Sequence, residues 1–287
     1  MTHFQIPQAT TIMALRARVK SWRQEGLSVG FVPTMGALHD GHIALVKLAR
    51  AHCDRVVTSI FVNPAQFAVG EDLDTYPRNL VDDAEKLSNA KCDLIYMPDA
   101  QIMYPDNFIT SLKLAGAATG LESTSRPHFF DGVAIVVAKL LNQVRPDMAV
   151  FGEKDYQQLL VIRQMVRDLD FGIDIISGET VREKDGLALS SRNVYLDEDQ
   201  RQRAAQLNII LKDFAKDLSA GMPAGKAQSK ALKLAESTFD SVDYIEARCA
   251  DTLSSLGENS IQKPARVLAA VRLGDTRLID NRAALPS

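Results

Sequence analysis

Two histidines three residues apart, His39 and His42, stand in the run Val32-Pro33-Thr34-Met35-Gly36-Ala37-Leu38-His39-Asp40-Gly41-His42. The run joins an apolar stretch that reads as a strand to an apolar-periodic stretch that reads as a helix. An H-x-G-H segment at a helix start sets imidazole donors beside unpaired backbone N–H groups and the positive end of the helix dipole, which suits phosphate. Donors there can stabilise the charge that develops when an α-phosphorus is attacked, and the chemistry indicated is nucleotidyl transfer. The alternatives are a metal pair or two solvated histidines. A zinc site needs further ligands, and only His3, His52 and His128 remain as additional imidazoles.

Three further segments carry residues able to act on a nucleotide or a small acid. Phe61-Val62-Asn63-Pro64-Ala65-Gln66-Phe67 offers the neutral amides of Asn63 and Gln66, which bond hydroxyls or a carboxylate without fixing a charge; Asn-Pro as plain turn chemistry is the alternative. Gly152-Glu153-Lys154-Asp155-Tyr156-Gln157-Gln158 follows a short apolar run ending at Phe151. At a strand's carboxyl end Lys154 would neutralise phosphate, Asp155 would cap the next helix, and Gln158 would lie one turn in. Lys184 to Asn193 reads as a polar, flexible segment in which Ser190, Ser191 and Arg192 could close over a triphosphate and hold departing pyrophosphate; an ordinary interdomain linker is the alternative.

These segments need elements to position them, and the chain between Leu27 and about Ile176 supplies an alternation. Strands are expected at Leu27–Val32, Arg55–Val62, Asp93–Met97, Met148–Phe151 and Ile173–Ile176. Helices are expected at His42–Cys53, near Asn79–Lys91, and at Gly132–Val144 and Tyr156–Leu169. Phe108–Leu114 reads as an extra strand or hairpin arm. Such alternation makes βαβ units and a mostly parallel sheet of the α/β class, whose ligands bind beyond the carboxyl ends of the strands. After about residue 178 the pattern becomes α+β: a charged helix over Glu198–Leu218, a break at Ala220–Gly225, a helix near Lys226–Thr238, and strands at Val242–Ala247, Ala265–Leu273 and Arg277–Ile279. The expected division is therefore 1–178 and 179–287.

The bulk numbers exclude several classes. With 287 residues, 46% of them hydrophobic, the chain can bury two ordinary cores. A net charge of -3 argues against bulk nucleic-acid binding. The polar stretch Met1 to Trp22 lacks a signal-peptide core, and the apolar run Val133 to Leu141 is short and holds Lys139, so no membrane span is expected. Cys53, Cys92 and Cys249 form no C-x-x-C pair and read as reduced thiols in a cytoplasmic protein.

Taken in order, VPTMGALHDGH, SIFVNPAQF, DLDTYPR, FGEKDYQQL, DGLALSSRN and LGDTRLIDN resemble the pantoate–β-alanine ligase family, within the H-x-G-H nucleotidylyltransferase superfamily. The resemblance covers almost the whole chain. It implies a Rossmann-like, doubly wound parallel sheet in the N-terminal domain and a smaller C-terminal lid domain, in a cytoplasmic homodimer. The activity it implies is condensation of pantoate with β-alanine at the expense of Mg2+-ATP, through a pantoyl adenylate. By the same resemblance His39, His42, Lys154, Ser190, Ser191 and Arg192 contact phosphates, and Met35, Asn63, Gln66 and Gln158 hold pantoate. Thr34, Gly41, Gly152, Asp155 and Val181 belong to the ATP site, and Asp82 meets the magnesium. The family pattern R-P-x-H-F-x-G-V departs here to Arg126-Pro127-His128-Phe129-Phe130-Asp131-Gly132-Val133, with the histidine displaced by one position. Arg126 and His128 are the residues assigned to β-alanine. A nucleotidylyltransferase that stops at nucleotidyl transfer and a non-enzymatic nucleotide sensor are the competing readings.

Overall fold

The computed structural model describes residues 6–67 and 73–286; Asp72 of the DLDTYPR motif lies outside the described residues. The chain divides into two compact units. The first takes in the described residues up to Leu114, together with Arg126–Glu153 and Val161–Glu179. The second takes in Ala115–Ser125, Lys154–Leu160 and the described residues from Thr180 onward.

In chain order the first elements are β1 (Gln8–Ala9), α1 (Ile12–Gln24), β2 (Val29–Thr34), α2 (Asp40–His52), β3 (Arg55–Ile60), α3 (Leu80–Asn89), β4 (Leu94–Tyr96) and α4 (Ala100–Met103). There follow α5 (Glu122–Ser125), α6 (Phe129–Val144), β5 (Met148–Gly152), α7 (Tyr156–Asp168) and β6 (Asp174–Gly178). The six strands form one parallel sheet in the order β1-β4-β3-β2-β5-β6. Val29, Phe31, Val32, Val56 and Val57 are fully buried, as strands covered on both faces require. Helix α2 packs on β2, β3 and β5. Its Val46 and Ala49 join Val32, Val56, Leu87, Ile95 and Val150 in one apolar cluster. Strand order reverses beside β2, whose neighbours are β3 and β5, so the loops leaving β2 and β5 flank the switch point where α/β sheets place ligands.

One element lies outside the expected alternation, and one expectation changes. Helix α1 lies in a stretch that reads only as polar; its three buried residues, Leu15, Val19 and Trp22, sit at four- and three-residue spacing between charged positions, and Thr11 caps it by accepting from the Ala14 N–H at 3.1 Å. Phe108–Leu114 forms no strand: the segment is irregular and Ile109 is 92% exposed. The segment joins neither described sheet, and propensity alone does not make a strand.

The second unit is built on an antiparallel sheet of β7 (Ser241–Cys249), β8 (Ala265–Leu273) and β9 (Thr276–Ala284), with α8 (Glu198–Ser219) and α9 (Ala224–Thr238). Leu207, Leu211, Phe214 and Leu218 on α8 share a core with Val267, Ala269, Val271 and Leu273 on β8. The earlier segments are fastened to this sheet by side chains. Arg277 on β9 donates from both guanidinium ends to Glu122, at 2.8 and 2.9 Å, and the Tyr244 hydroxyl donates to Glu122 at 2.7 Å. Leu121 and Leu160 pack with Leu253 and Leu268.

Candidate active site

The loop from β2 to α2 is held in an uncommon conformation. Gly36 and Ala37 both lie in the left-handed region, with φ of 84° and 50°. A left-handed alanine costs roughly 1–3 kcal/mol and persists only where the surroundings fix it. Here the fixing group is Asp83 on α3, 1% exposed, whose carboxylate accepts the Ala37 N–H at 2.9 Å and the Leu38 N–H at 2.7 Å. Burial pushes the Asp83 carboxyl above its ordinary range, while the two backbone bonds act against that rise. Lys86, one turn on, donates to the Leu38 carbonyl and to Asp82 Oδ2, both at 2.7 Å. Thr34, at the end of β2, ties the loop to β3 by donating to the Ser59 carbonyl at 2.7 Å. Met35, next in the chain, is half-buried.

His39 is the N-cap of α2 and His42 is its third residue, and together they form a capping box made of imidazoles. His39 Nδ1 accepts the Gly41 N–H at 3.1 Å, and His42 Nδ1 accepts the His39 N–H at 3.3 Å. The ring centroids are 4.1 Å apart. A neutral imidazole that accepts at Nδ1 carries its proton on Nε2, so the motif sets both rings as Nε2–H donors. Part of the helix terminus is therefore satisfied within the motif, and the side chains extend its donor character outward.

At the exit of β3, Asn63 is 1% exposed and heavily engaged. Its Oδ1 accepts from the Tyr104 hydroxyl at 2.7 Å and from the Ala65 N–H at 3.3 Å, and its Nδ2 donates to the Gly132 carbonyl at 3.2 Å. Burial pushes the Tyr104 phenol up to about 12, so it donates throughout the working pH range. Gly132 is a close-approach glycine: a Cβ there would lie 2.1 Å from the Ala65 carbonyl oxygen. Gln66 is half-buried, and its carbonyl accepts from Arg126 at 2.6 Å. The Arg126 guanidinium stacks on Phe129, 3.9 Å from the ring centre, while His128 is exposed at the start of α6. Phe129 thus supports the arginine. Gly152 ends β5 and is half-buried.

In the second unit, Lys154 and Asp155 lie in a 3-10 turn ahead of α7, with Lys154 Nζ 3.7 Å from Asp155 Oδ1. The adjacent glutamines divide their work. Gln157 is buried, accepts the Glu122 N–H at 3.1 Å and donates to the carbonyls of Ala117 and Gly120 at 2.9 and 3.2 Å. Gln158 is half-buried.

The polar segment Lys184–Asn193 begins inside a hairpin that opens at Val181. Arg182 and Ala188 bridge, and the Leu189 N–H donates to the Val181 carbonyl at 3.0 Å. Leu187 is buried in the α8 core. Arg201 on α8 pairs with Asp185 at 2.6 Å and Glu183 at 2.8 Å. Polar composition predicts solvation, but Glu183 and Asp185 are taken up by a partner outside the segment, Arg201 on α8. Ser190 then caps a 3-10 turn holding Ser191 and Arg192, accepting the Arg192 N–H at 3.3 Å.

Asp83, Gly132 and Gln157 escape a reading of residue types. Gly132 had a signal in the glycine within a strongly apolar helix. Asp83 had none beyond standing next to Asp82. Among the described residues no group of three or more His, Cys, Asp or Glu side chains is placed to hold a metal. No described helix is long and apolar enough to cross a membrane.

The family model for pantoate-beta-alanine ligase matches residues 8–283. A pantothenate synthetase of Maricaulis maris is 69% identical over 282 residues, covering 98% of each chain. Among solved structures, a pantothenate synthetase of Thermus thermophilus superposes with a TM-score of 0.90 at 42% identity, covering 98% of this chain and 100% of that one. The pantoate-beta-alanine ligase of Francisella tularensis, solved with beta-gamma ATP and beta-alanine, gives a TM-score of 0.80 at 34% identity over 96% of this chain and 97% of its own. The family model spans the same strands, imidazole turn and hairpin described above, and the chain belongs to the pantoate–β-alanine ligase family: it is a ligase of pantothenate biosynthesis.

Proposed function

We propose that the chain makes pantothenate in two steps through pantoyl adenylate. A carboxylate oxygen of D-pantoate attacks the α-phosphorus of ATP, the bond to the bridging oxygen breaks, and pyrophosphate leaves. The β-alanine amine then attacks the acyl carbon, the bond to AMP breaks, and the amine proton passes to solvent. The imidazole capping box carries this reading: two Nε2–H donors held at a helix start beside the switch point suit the charge that grows on phosphoryl oxygens.

In the first unit, His39 and His42 donate to phosphate, and Thr34, Gly41 and Gly152 belong to the ATP site. Met35, Asn63 and Gln66 hold pantoate; the Asn63 amide still has a second N–H to give after bonding Gly132. Arg126, stiffened by Phe129, takes the β-alanine carboxylate, with His128 beside it in sequence. In the second unit, Lys154, Ser190, Ser191 and Arg192 serve the phosphates, Asp155 and Val181 the nucleoside, and Gln158 the pantoate. Magnesium enters as part of the substrate MgATP. Asp82 is the carboxylate proposed to meet it, in competition with Lys86. The working form is a cytoplasmic homodimer.

The test is AMP formation from ATP, magnesium and D-pantoate, with and without β-alanine. AMP and pantothenate in equal amounts only with the amine, and a pyrophosphate burst without it, are expected. Absence of that burst removes the adenylate route.

A further inference from the structure

The last family motif, Leu278-Ile279-Asp280-Asn281, has no role in the reaction as assigned above. Its two polar members are buried on β9, at 4% and 2% exposure. Asp280 accepts both ends of the Arg182 guanidinium, at 2.7 and 2.8 Å, and Arg182 also donates to the Gly186 carbonyl at 3.0 Å. Asp280 therefore anchors the hairpin that starts at Val181 and leads into Ser190–Arg192. Asn281 serves the other nucleotide segment. Its Nδ2 donates to the Lys154 carbonyl at 2.8 Å, and its Oδ1 accepts from Arg266 Nε at 2.5 Å. Arg266 in turn lies over the Tyr156 ring, 4.1 Å from its centre. Successive strand residues leave opposite faces, so two neighbours on an edge strand can reach two different segments. The Asn281 N–H donates to Asp280 at 2.7 Å, locking the two anchors to each other.

We propose that Asp280 and Asn281 are positioning residues for ATP, acting together to fix the separation of the Lys154 turn from the Val181–Arg192 hairpin. This rests on the reading of Lys154 and the hairpin as nucleotide-binding. Both segments are loops, and charged or donor groups on loops reach productive geometry only when a rigid element sets their backbone.

Asn281→Asp tests it, because the carboxylate still accepts from Arg266 but no longer donates to the Lys154 carbonyl. The expected result is a rise of tenfold or more in the KM for ATP, with the KM for β-alanine within twofold of the parent. A purely structural role lowers the folded fraction, which reduces kcat and leaves both KM values unchanged. An unchanged KM for ATP, or equal rises in both constants, overturns the proposal. If Asn281→Asp does not fold, Asp280→Asn, which keeps one acceptor for Arg182, is expected to show the same split at about threefold, and the same contrary outcomes apply. Lys154→Ala measured in parallel separates two failures. Normal pyrophosphate release in Lys154→Ala removes the underlying reading, whereas a slow Lys154→Ala beside a normal Asn281→Asp removes the positioning role alone.

Discussion

The imidazole turn of the first unit and the serine–arginine hairpin of the second are both irregular backbone, but they are stabilised in different ways. The imidazole turn closes on itself. His39 accepts the Gly41 N–H and His42 accepts the His39 N–H, all within four residues, and one buried carboxylate, Asp83, holds the strained approach at Gly36–Ala37. The hairpin depends on several charge pairs spread over the second unit, some half-exposed, as Arg201 with Glu183 and Asp185, and one buried, Arg182 with Asp280. Local closure concentrates the cost of damage in one or two groups, whereas distributed bracing spreads it. Buried charges magnify the difference, because removing one partner strands the other away from water.

The largest loss is expected where a buried pair ties the chain segments of the second unit together. Glu122→Ala leaves Arg277, 12% exposed, facing the Tyr244 hydroxyl and a single remaining carboxylate. Equilibrium denaturation should show about 3–5 kcal/mol lost, and a loss under 1 kcal/mol would show that the segment is held by apolar packing instead. Next comes chemistry: Lys154→Ala should slow single-turnover pyrophosphate release about a hundred- to a thousandfold with an unchanged melting curve. A smaller effect is expected from Asp83→Asn, which presents an NH2 to one of two backbone donors and should cost about 1–3 kcal/mol of stability. Adenylation should slow with it, since His39 follows directly on the loop that Asp83 holds. Full activity in a destabilised Asp83→Asn would separate the strained approach from the imidazoles. The smallest effect belongs to Arg201→Ala, whose partners are 34% and 44% exposed. Such pairs contribute about 1 kcal/mol or less, so a melting shift as large as that of Asp83→Asn would mean the hairpin is not braced diffusely.

Much of the α/β layer could be read directly from the chain, because β-branched runs such as Arg55–Ile60 and the apolar period of α6 encode their own geometry. The helix start at His39 could be read for the same reason: cap and capped groups are neighbours in sequence. The sequence left α1 unread, where three buried apolar residues stand among charges, and misread Phe108–Leu114, where propensity was not matched by strand pairing. The pairing of Arg182 with Ala188 and of Arg201 with Glu183 and Asp185 had no signal in the sequence, because the partners are set by the fold.

The sequence by itself determined the alternation of strands and helices, the imidazole turn and the order of the family motifs, all set by interactions within a few residues. Tertiary structure alone decided which of two adjacent aspartates is buried, which of two adjacent glutamines is structural, and that 115–125 and 154–160 group with the C-terminal residues. The physical reason is separation along the chain. Asp83 meets Leu38 across 45 positions, Asn281 meets Lys154 across 127, and Arg277 meets Glu122 across 155. Residue type marks a carboxylate or an amide as able to bond, and only the packed fold brings its partner within 3 Å.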